Sequence, residues 1–195
     1  LSYQTIDKSF KIGINAVYNA FNPEIRKLKR VYNQFDFNGS ENYNIGGDFN
    51  YYWQNLNFFA EYSRSRSGGN AVLAGVLGSL HPTIDFSFLF RNYDRDFHSI
   101  YGNAFGEISN IKNEQGFYWG IKFTPVKKLI FSGYYDKFYF PWLTLRADGP
   151  VNGSEFFIRS EYKPLKKVSL FCQLRQENKP INLPENNSPL DIIVE

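Results

Sequence analysis

The chain reads as all-β: an antiparallel up-and-down transmembrane β-barrel, or a roughly ten-strand portion of a larger barrel. Three observations predict this. Segments of about ten residues alternate apolar and polar, and a period of two puts alternate side chains on opposite faces of a strand. The connections between segments tend to run short, then long. Aromatic residues make up 19% of the chain, with 20 Phe, 14 Tyr and 3 Trp, yet mean hydropathy is −0.42. A barrel whose rings face lipid and whose polar groups face a lumen averages out in this way.

The elements follow in order. Leu1–Ile6 is the end of one strand, and Asp7–Ser9 a short turn. Phe10–Phe21 sets Phe10, Ile12, Ile14, Ala16, Tyr18 and Ala20 on one face against Lys11, Gly13, Asn15 and Asn19. A long, charged connection spans Asn22–Asn42. Tyr43–Trp53 alternates Ile45, Phe49, Tyr51 and Trp53 against Asp48 and Asn50, and Gln54–Asn55 turns the chain into Leu56–Arg66. Ser67–Asn70 is Gly-rich. Ala71–Leu80 is the least clear strand, although its glycines disfavour a helix. After His81–Thr83, Ile84–Asn92 places Ile84, Phe86, Phe88 and Phe90 opposite Asp85, Ser87 and Arg91. A long connection, Tyr93–Gln115, precedes Gly116–Pro125 and Leu129–Phe138. A third, Tyr139–Gly153, precedes Ser154–Lys163 and Val168–Glu177. Residues 1–195 form one barrel domain or a fragment of one. Residues 178–195 are a tail, and its apolar Leu190–Val194 reads as the opening of a further strand.

Phe123-Thr124-Pro125-Val126-Lys127-Lys128-Leu129 recurs as Tyr162-Lys163-Pro164-Leu165-Lys166-Lys167-Val168. Each proline is expected to end a ladder before a tight, lysine-marked turn. This is a hairpin repeat, as an up-and-down barrel requires.

A soluble sandwich or lipocalin-like barrel would also alternate. It would have to pack its rings inward, where space is limited. The aromatics here also gather near strand ends. Tyr18, Tyr51, Trp53, Trp119, Tyr135 and Tyr162 read as membrane-interface girdles. No stretch reaches the roughly 18–20 apolar residues of a spanning helix. A net charge of +3, from 22 basic and 19 acidic residues, is too balanced to argue for nucleic acid. Cys172 is the one cysteine, so no internal disulfide forms, and it falls on an apolar face. The chain has no methionine and no signal-peptide pattern, which reads as a mature segment or an internal fragment.

Asn92–Glu107 (NYDRDFHSIYGNAFGE), Gly116–Pro125 (GFYWGIKFTP) and Ser132–Leu143 (SGYYDKFYFPWL) resemble the barrel region of a family of Bacteroidota outer-membrane proteins. Its members are often labelled helix-hairpin-helix domain-containing, after a separate N-terminal segment. The resemblance extends over most of residues 45–177. It implies a barrel in the bacterial outer membrane and brings no catalytic residues. No helix-hairpin-helix segment stands in this chain, so no DNA-binding role transfers. Similar barrels are much longer, which implies that this chain is a central or C-proximal slice.

Asp48, Glu61, Asp85, Arg91, Lys122, Asp136, Arg159, Glu161 and Arg175 are expected to face the lumen as polar residues. Opposite charges on neighbouring strands would form cross-strand ladders. Such a lining either solvates or plugs the lumen, or sets ion selectivity. Catalysis by a carboxylate pair such as Glu61 and Asp85 has no directing feature. Asp94, Asp96 and His98 are too few for a metal site, and a rim loop held by Asp–Arg pairs is the expectation. Arg26, Lys27, Lys29 and Arg30 are suited to lipopolysaccharide phosphates, or form a solvated loop. No nucleophile elbow or phosphate loop occurs, and the sequence calls for no cofactor. The expected role is non-enzymatic: an outer-membrane channel, or a barrel component of an envelope assembly, in contact with lipid, lipopolysaccharide and other envelope proteins. The alternatives are a soluble or surface-exposed β module binding a glycan or a hydrophobic ligand, and an outer-membrane enzyme.

Overall fold

The computed structural model describes residues 1–181. It contains ten strands: β1 (Ser2–Gln4), β2 (Phe10–Ile25), β3 (Gly39–Trp53), β4 (Leu56–Ser65), β5 (Asn70–His81), β6 (Ile84–Tyr93), β7 (Glu114–Val126), β8 (Leu129–Phe140), β9 (Val151–Leu165) and β10 (Val168–Asn178). All ten belong to one antiparallel sheet, and their order in space is their order in the chain. Among the described residues β1 and β10 are its edges.

The connections sort by end. Residues 5–9, 54–55, 82–83, 127–128 and 166–167 make tight turns at one end. Residues 26–38, 94–113 and 141–150 make long loops at the other, beside the four residues 66–69. The sorting is a consequence of the meander, because successive connections must alternate ends.

Register carries each apolar set across the sheet. One row runs Tyr51, Phe58, Val76, Phe88, Trp119, Tyr135, Phe156 from β3 to β9. Its rings touch: the Phe88 and Trp119 centroids lie 5.7 Å apart, and those of Trp119 and Tyr135 6.1 Å. A pair of this kind is worth on the order of 0.5–1.5 kcal/mol beyond area burial. The opposite face carries Asp48, Glu61, Leu73, Arg91, Gly116 and Phe138 in its own row. We call the two sides the ring face and the charged face.

No second layer covers the ring face among the described residues. The buried apolar clusters are small and lie toward the long loops: Phe138, Phe140, Ala147 and Val151 in one, Ala71, Tyr93 and Phe97 in the other. Meanwhile Ile14 is 60% exposed, Trp119 47% and Ile121 57%, whereas Arg91 and Glu114 are 0% exposed. A water-soluble sheet buries its apolar face and solvates its charges. Here large apolar residues of the ring face stay exposed, while Arg91, Glu114, Asp136 and Glu155 on the other face are buried.

Strands β2, β3, β7, β8 and β9 run further toward the long loops than the alternation indicates. There neither face has to be apolar, so backbone pairing continues where the period-two signal has stopped. As a result Tyr18, Trp119 and Tyr135 lie inside β2, β7 and β8 and not near their ends as expected. Trp53 does end β3, with Tyr51 two residues before it. Tyr162 lies near the end of β9. Pro125 and Pro164 do not end their ladders. Each is the penultimate residue of its strand, and irregularities in register accompany the turns they precede. The expected strand at Leu190–Val194 lies outside the described residues.

Candidate functional site

Most of the site lies on the charged face, where β6 to β10 meet the loop of residues 94–113. Arg91 stands on β6 directly opposite Gly116 of β7. A Cβ at Gly116 would fall 2.5 Å from the Arg91 guanidinium carbon. The missing side chain is therefore the gap through which Arg91 crosses β7 and reaches β8. There its two terminal nitrogens donate to the two carboxylate oxygens of Asp136, at 2.9 and 3.1 Å. Its Nε donates to Glu114 at 2.5 Å. This bidentate fork plus a third charged contact satisfies the cation on both sides.

Glu114 also holds the loop. Its two oxygens accept from the Glu107 backbone N–H at 2.9 and 3.1 Å. The Phe105 carbonyl accepts from the Tyr93 hydroxyl at 2.7 Å. The Phe105 ring lies 5.1 Å from that of Tyr118, edge on, and 5.3 Å from the Arg91 guanidinium. At its other side the loop is tied to β3 and β5. The His98 carbonyl accepts from both Asn42 and Asn44 at 2.9 Å, and Asp94 accepts from the Asn70 backbone and side chain at 2.9 Å. Asn42, Asn44, Arg91, Tyr93, Glu114 and Tyr118 all point to the charged face. The loop thus folds back over that face instead of standing away from it.

A second charged group lies one strand on. Glu155 of β9 faces Asp136 across the ladder, an unfavourable like-charge pair on its own. Arg175 of β10 neutralises it with two bonds of 2.8 Å to Glu155, and the Tyr134 hydroxyl donates to the same carboxylate. Lys179 reaches back to Glu107 at 2.8 Å.

All nine residues expected to face a lumen share this face. Asp85 and Lys122 form the expected opposite-charge pair across β6 and β7, at 3.2 Å. Asp136 and Arg91 pair through the Gly116 gap. Arg159 stacks on Phe171, its guanidinium 4.3 Å from the ring centre, and Glu161 accepts from Ser169 at 2.6 Å. The expectation of opposite charges on adjacent strands fails at Asp48 and Glu61. These carboxylates sit directly opposite each other on β3 and β4. Among the described residues neither has an ion-pair partner. The pair Glu61 and Asp85 is not brought together: on the intervening β5 Glu61 pairs with Leu73 and Asp85 with Ser79, six residues further along.

The loop 94–98 is ordered, but not by Asp–Arg pairs. Asp94 holds Asn70, while Arg95 stacks on Phe35 and Trp142. His98 bonds the Phe35 carbonyl at 2.7 Å. Among the described residues no three metal-ligating side chains converge. In the basic run Arg26 pairs with Glu24, and Lys27 donates to Asp36 at 2.8 Å. Lys112 of the next loop donates to the same Asp36. Burial and the nearby Lys27 pull the Lys112 ammonium down to about 8, as expected of two cations sharing one carboxylate.

Glu114 escapes a reading by alternation because it lies before the expected strand Gly116–Pro125, whereas Glu155 lies inside Ser154–Lys163 but ahead of its first apolar residue, Phe156. Stepping back two residues at a time from Tyr118 through Gly116, or from Arg159 through Phe157, reaches both. The loop partners Phe105 and Glu107 carry no local signal.

Replacing Arg91 by Gln leaves Glu114 and Asp136 buried without their cation, a loss on the order of 3–5 kcal/mol. Unfolding in urea from lipid vesicles is expected at a clearly lower midpoint, and proteolysis within residues 94–113 should accelerate. Gly116→Val, which closes the gap without removing any charge, is expected to accelerate the same cleavage. An unchanged midpoint in R91Q, together with unchanged cleavage in both variants, would contradict the lock.

No protein-family model matches the chain, and no curated protein matches it. Among solved structures it is similar to the crystal structure of Acinetobacter baumannii OccAB2, at 15% identity and a TM-score of 0.36, over 95% of this chain and 62% of that one. The chain therefore spans 62% of the length of the structure it matches.

Proposed function

We propose that this chain is a wall of a bacterial outer-membrane β-barrel, non-enzymatic, that conducts small solutes past its charged face. The observation that carries the reading is the division of the sheet: an apolar ring face left without a covering layer, opposite a face that holds the charges and buries Arg91, Glu114, Asp136 and Glu155. In hydrocarbon that arrangement is the stable one, and β2 to β9, each paired on both sides, meet the requirement that backbone polar groups be paired within the protein.

Strand length agrees. A spanning strand takes about 9–11 residues. Counted from the tight-turn end, Trp53, Tyr51 and Tyr162 fall at one boundary of such a band, and Tyr18, Trp119 and Tyr135 toward the other. The strands then run on as a wet rim beneath the long loops. By the usual polarity of such barrels the tight turns face the periplasm and the loops the exterior. On this reading Arg26, Lys27, Lys29 and Arg30 lie at the outer rim, where lipopolysaccharide phosphates would meet them. A role as the barrel component of a larger envelope assembly, of the Bacteroidota kind the sequence resembles, shares the same architecture.

The charged face supports a conduit more than an active site. Its tightest constellation, Arg91 with Glu114 and Asp136, is occupied in holding a loop. On β3 and β4 the face sets two carboxylates, Asp48 and Glu61, directly opposite each other with no cation between them. Like charges opposed across a ladder cost stability, and an acidic pair lining a path favours cations.

Two measurements follow. Phe86→Arg puts a cation on the ring face, at a cost of about 2–4 kcal/mol near a bilayer midplane. Membrane assembly is expected to fail, whereas Asp85→Asn, one residue away on the other face, should assemble normally. Normal assembly of F86R would reverse the facing. In planar bilayers the chain is expected to give discrete conductance steps with a preference for potassium over chloride. The double variant D48N/E61Q should lower that permeability ratio at least twofold. Absence of steps would leave a plugged scaffold and overturn conduction.

A further inference from the structure

The three long loops and the loop-side ends of β8, β9 and β10 line a cavity of about 490 Å³, on the same side of the sheet as the charged face but beyond the Arg91 group. Its floor is apolar, built on Phe140 and Val151, 1% and 6% exposed. Its wall is a platform assembled from one residue of each loop. Phe35 and Trp142 meet edge to face, 5.3 Å between centroids at 83°. The Arg95 guanidinium lies 4.2 Å from the first ring and 5.1 Å from the second.

The platform is braced. The Trp142 indole N–H donates to the Val31 carbonyl at 3.2 Å, and the Trp142 backbone exchanges two bonds with the Asn113 side chain, 2.8 and 3.0 Å. The cavity is lined by four cations, Arg95, Lys112, Arg146 and Lys179, against two carboxylates, Asp36 and Glu177. Both lysines are engaged: Lys112 with Asp36, and Lys179 with Glu107. Among the described residues neither Arg95 nor Arg146 has a carboxylate partner or a hydrogen-bond acceptor.

Arg95 is thus a guanidinium oriented by two rings, with its forked N–H donors unused, beside an apolar hollow. Stacking on aromatic faces restricts the rotamers of a side chain that is otherwise mobile, so less freedom is lost when the fork closes on a ligand. Planar, bidentate donors match carboxylate and phosphate. The floor offers few polar partners, which disfavours a densely hydroxylated ligand. We infer that this cavity binds a small oxyanion, carboxylate or phosphate, carried on a flat apolar body, with Arg95 and Arg146 on the anion and Phe35, Trp142 and Phe140 on the body. A volume of about 490 Å³ accommodates a ring-bearing acid and not a multi-acyl lipid. This site is independent of conduction, since none of its four cations is among the charges proposed to line the path.

The test is calorimetric titration of the full chain in lipid nanodiscs with 2-naphthoate, 2-naphthyl phosphate and the neutral 2-naphthamide, against empty nanodiscs. At least one anion is expected to bind saturably, and at least tenfold more tightly than the amide; the stronger of the two names the anion class. Arg95→Gln should weaken it tenfold or more, and Arg146→Gln, at an exposed position away from the ring platform, threefold or more. Trp142 fluorescence in a W53F/W119F background should change in step with the heat. Equal binding of anion and amide, no saturable binding, or an affinity unchanged in both arginine variants would overturn the assignment. The wild-type comparison of anion with amide decides the matter even if a variant does not fold.

Discussion

One constraint organises the molecule: the strands must keep one apolar face and one face holding most of the charges in step across nine successive pairings. A slip of one residue in any ladder would exchange the two faces of that strand. For β6 it would put Phe88 among the charges and Asp85 and Arg91 among the rings. The continuous row from Tyr51 to Phe156 shows that the register holds. Cross-strand ring contacts reinforce it, because Trp119 touches both Phe88 before it and Tyr135 after it. The rest follows from those two faces, including where the loops can dock and which charges are free.

On the charged face the arrangement is economical in side chains. One arginine joins three strands because the residue opposite it is glycine, and one glutamate joins wall to loop because its second side faces a backbone N–H. Arg91, Glu114 and Asp136 together carry one net negative charge, and the Glu155–Arg175 pair next to them is neutral. The facing pair Asp48 and Glu61 on β3 and β4 is left without such compensation. The two halves of the face therefore differ in charge: β6 to β10 pair their buried charges with one another, while β3 and β4 set two carboxylates face to face.

Much of this was legible in the sequence, for a physical reason. Where one face is apolar along its whole length, alternation is strong, and it marks strands at Phe10, Ile84 and Leu129 to the residue. It also puts Asp85 and Lys122 on one face. Even Ala71–Leu80, rich in glycine and alanine, is a strand, because flanking ladders impose the pairing that its composition leaves open. Legibility ends where the apolar face ends. The extensions of β2, β3 and β9 lack an alternating hydrophobic signature; pairing continues there with help from loop contacts such as Asn42 on the His98 carbonyl and Val151 against Phe140. The Arg91 lock depends on a glycine whose role is to be empty, and on Glu107, whose contribution is a backbone N–H. The Arg95 platform draws Phe35, Arg95 and Trp142 from three separate loops, a juxtaposition that only the folded chain reveals.

The central claim, that the rings meet lipid and the charges meet water, is tested most directly by a spin-label scan of β6. Single cysteines at positions 84 to 90, in a Cys172→Ser background, would be labelled in lipid vesicles. Their collision rates with oxygen, which concentrates in hydrocarbon, and with a water-soluble nickel chelate would then be compared. The account predicts a period of two, with 84, 86, 88 and 90 favouring oxygen and 85, 87 and 89 favouring nickel. The opposite phase, or no alternation at all, would contradict it.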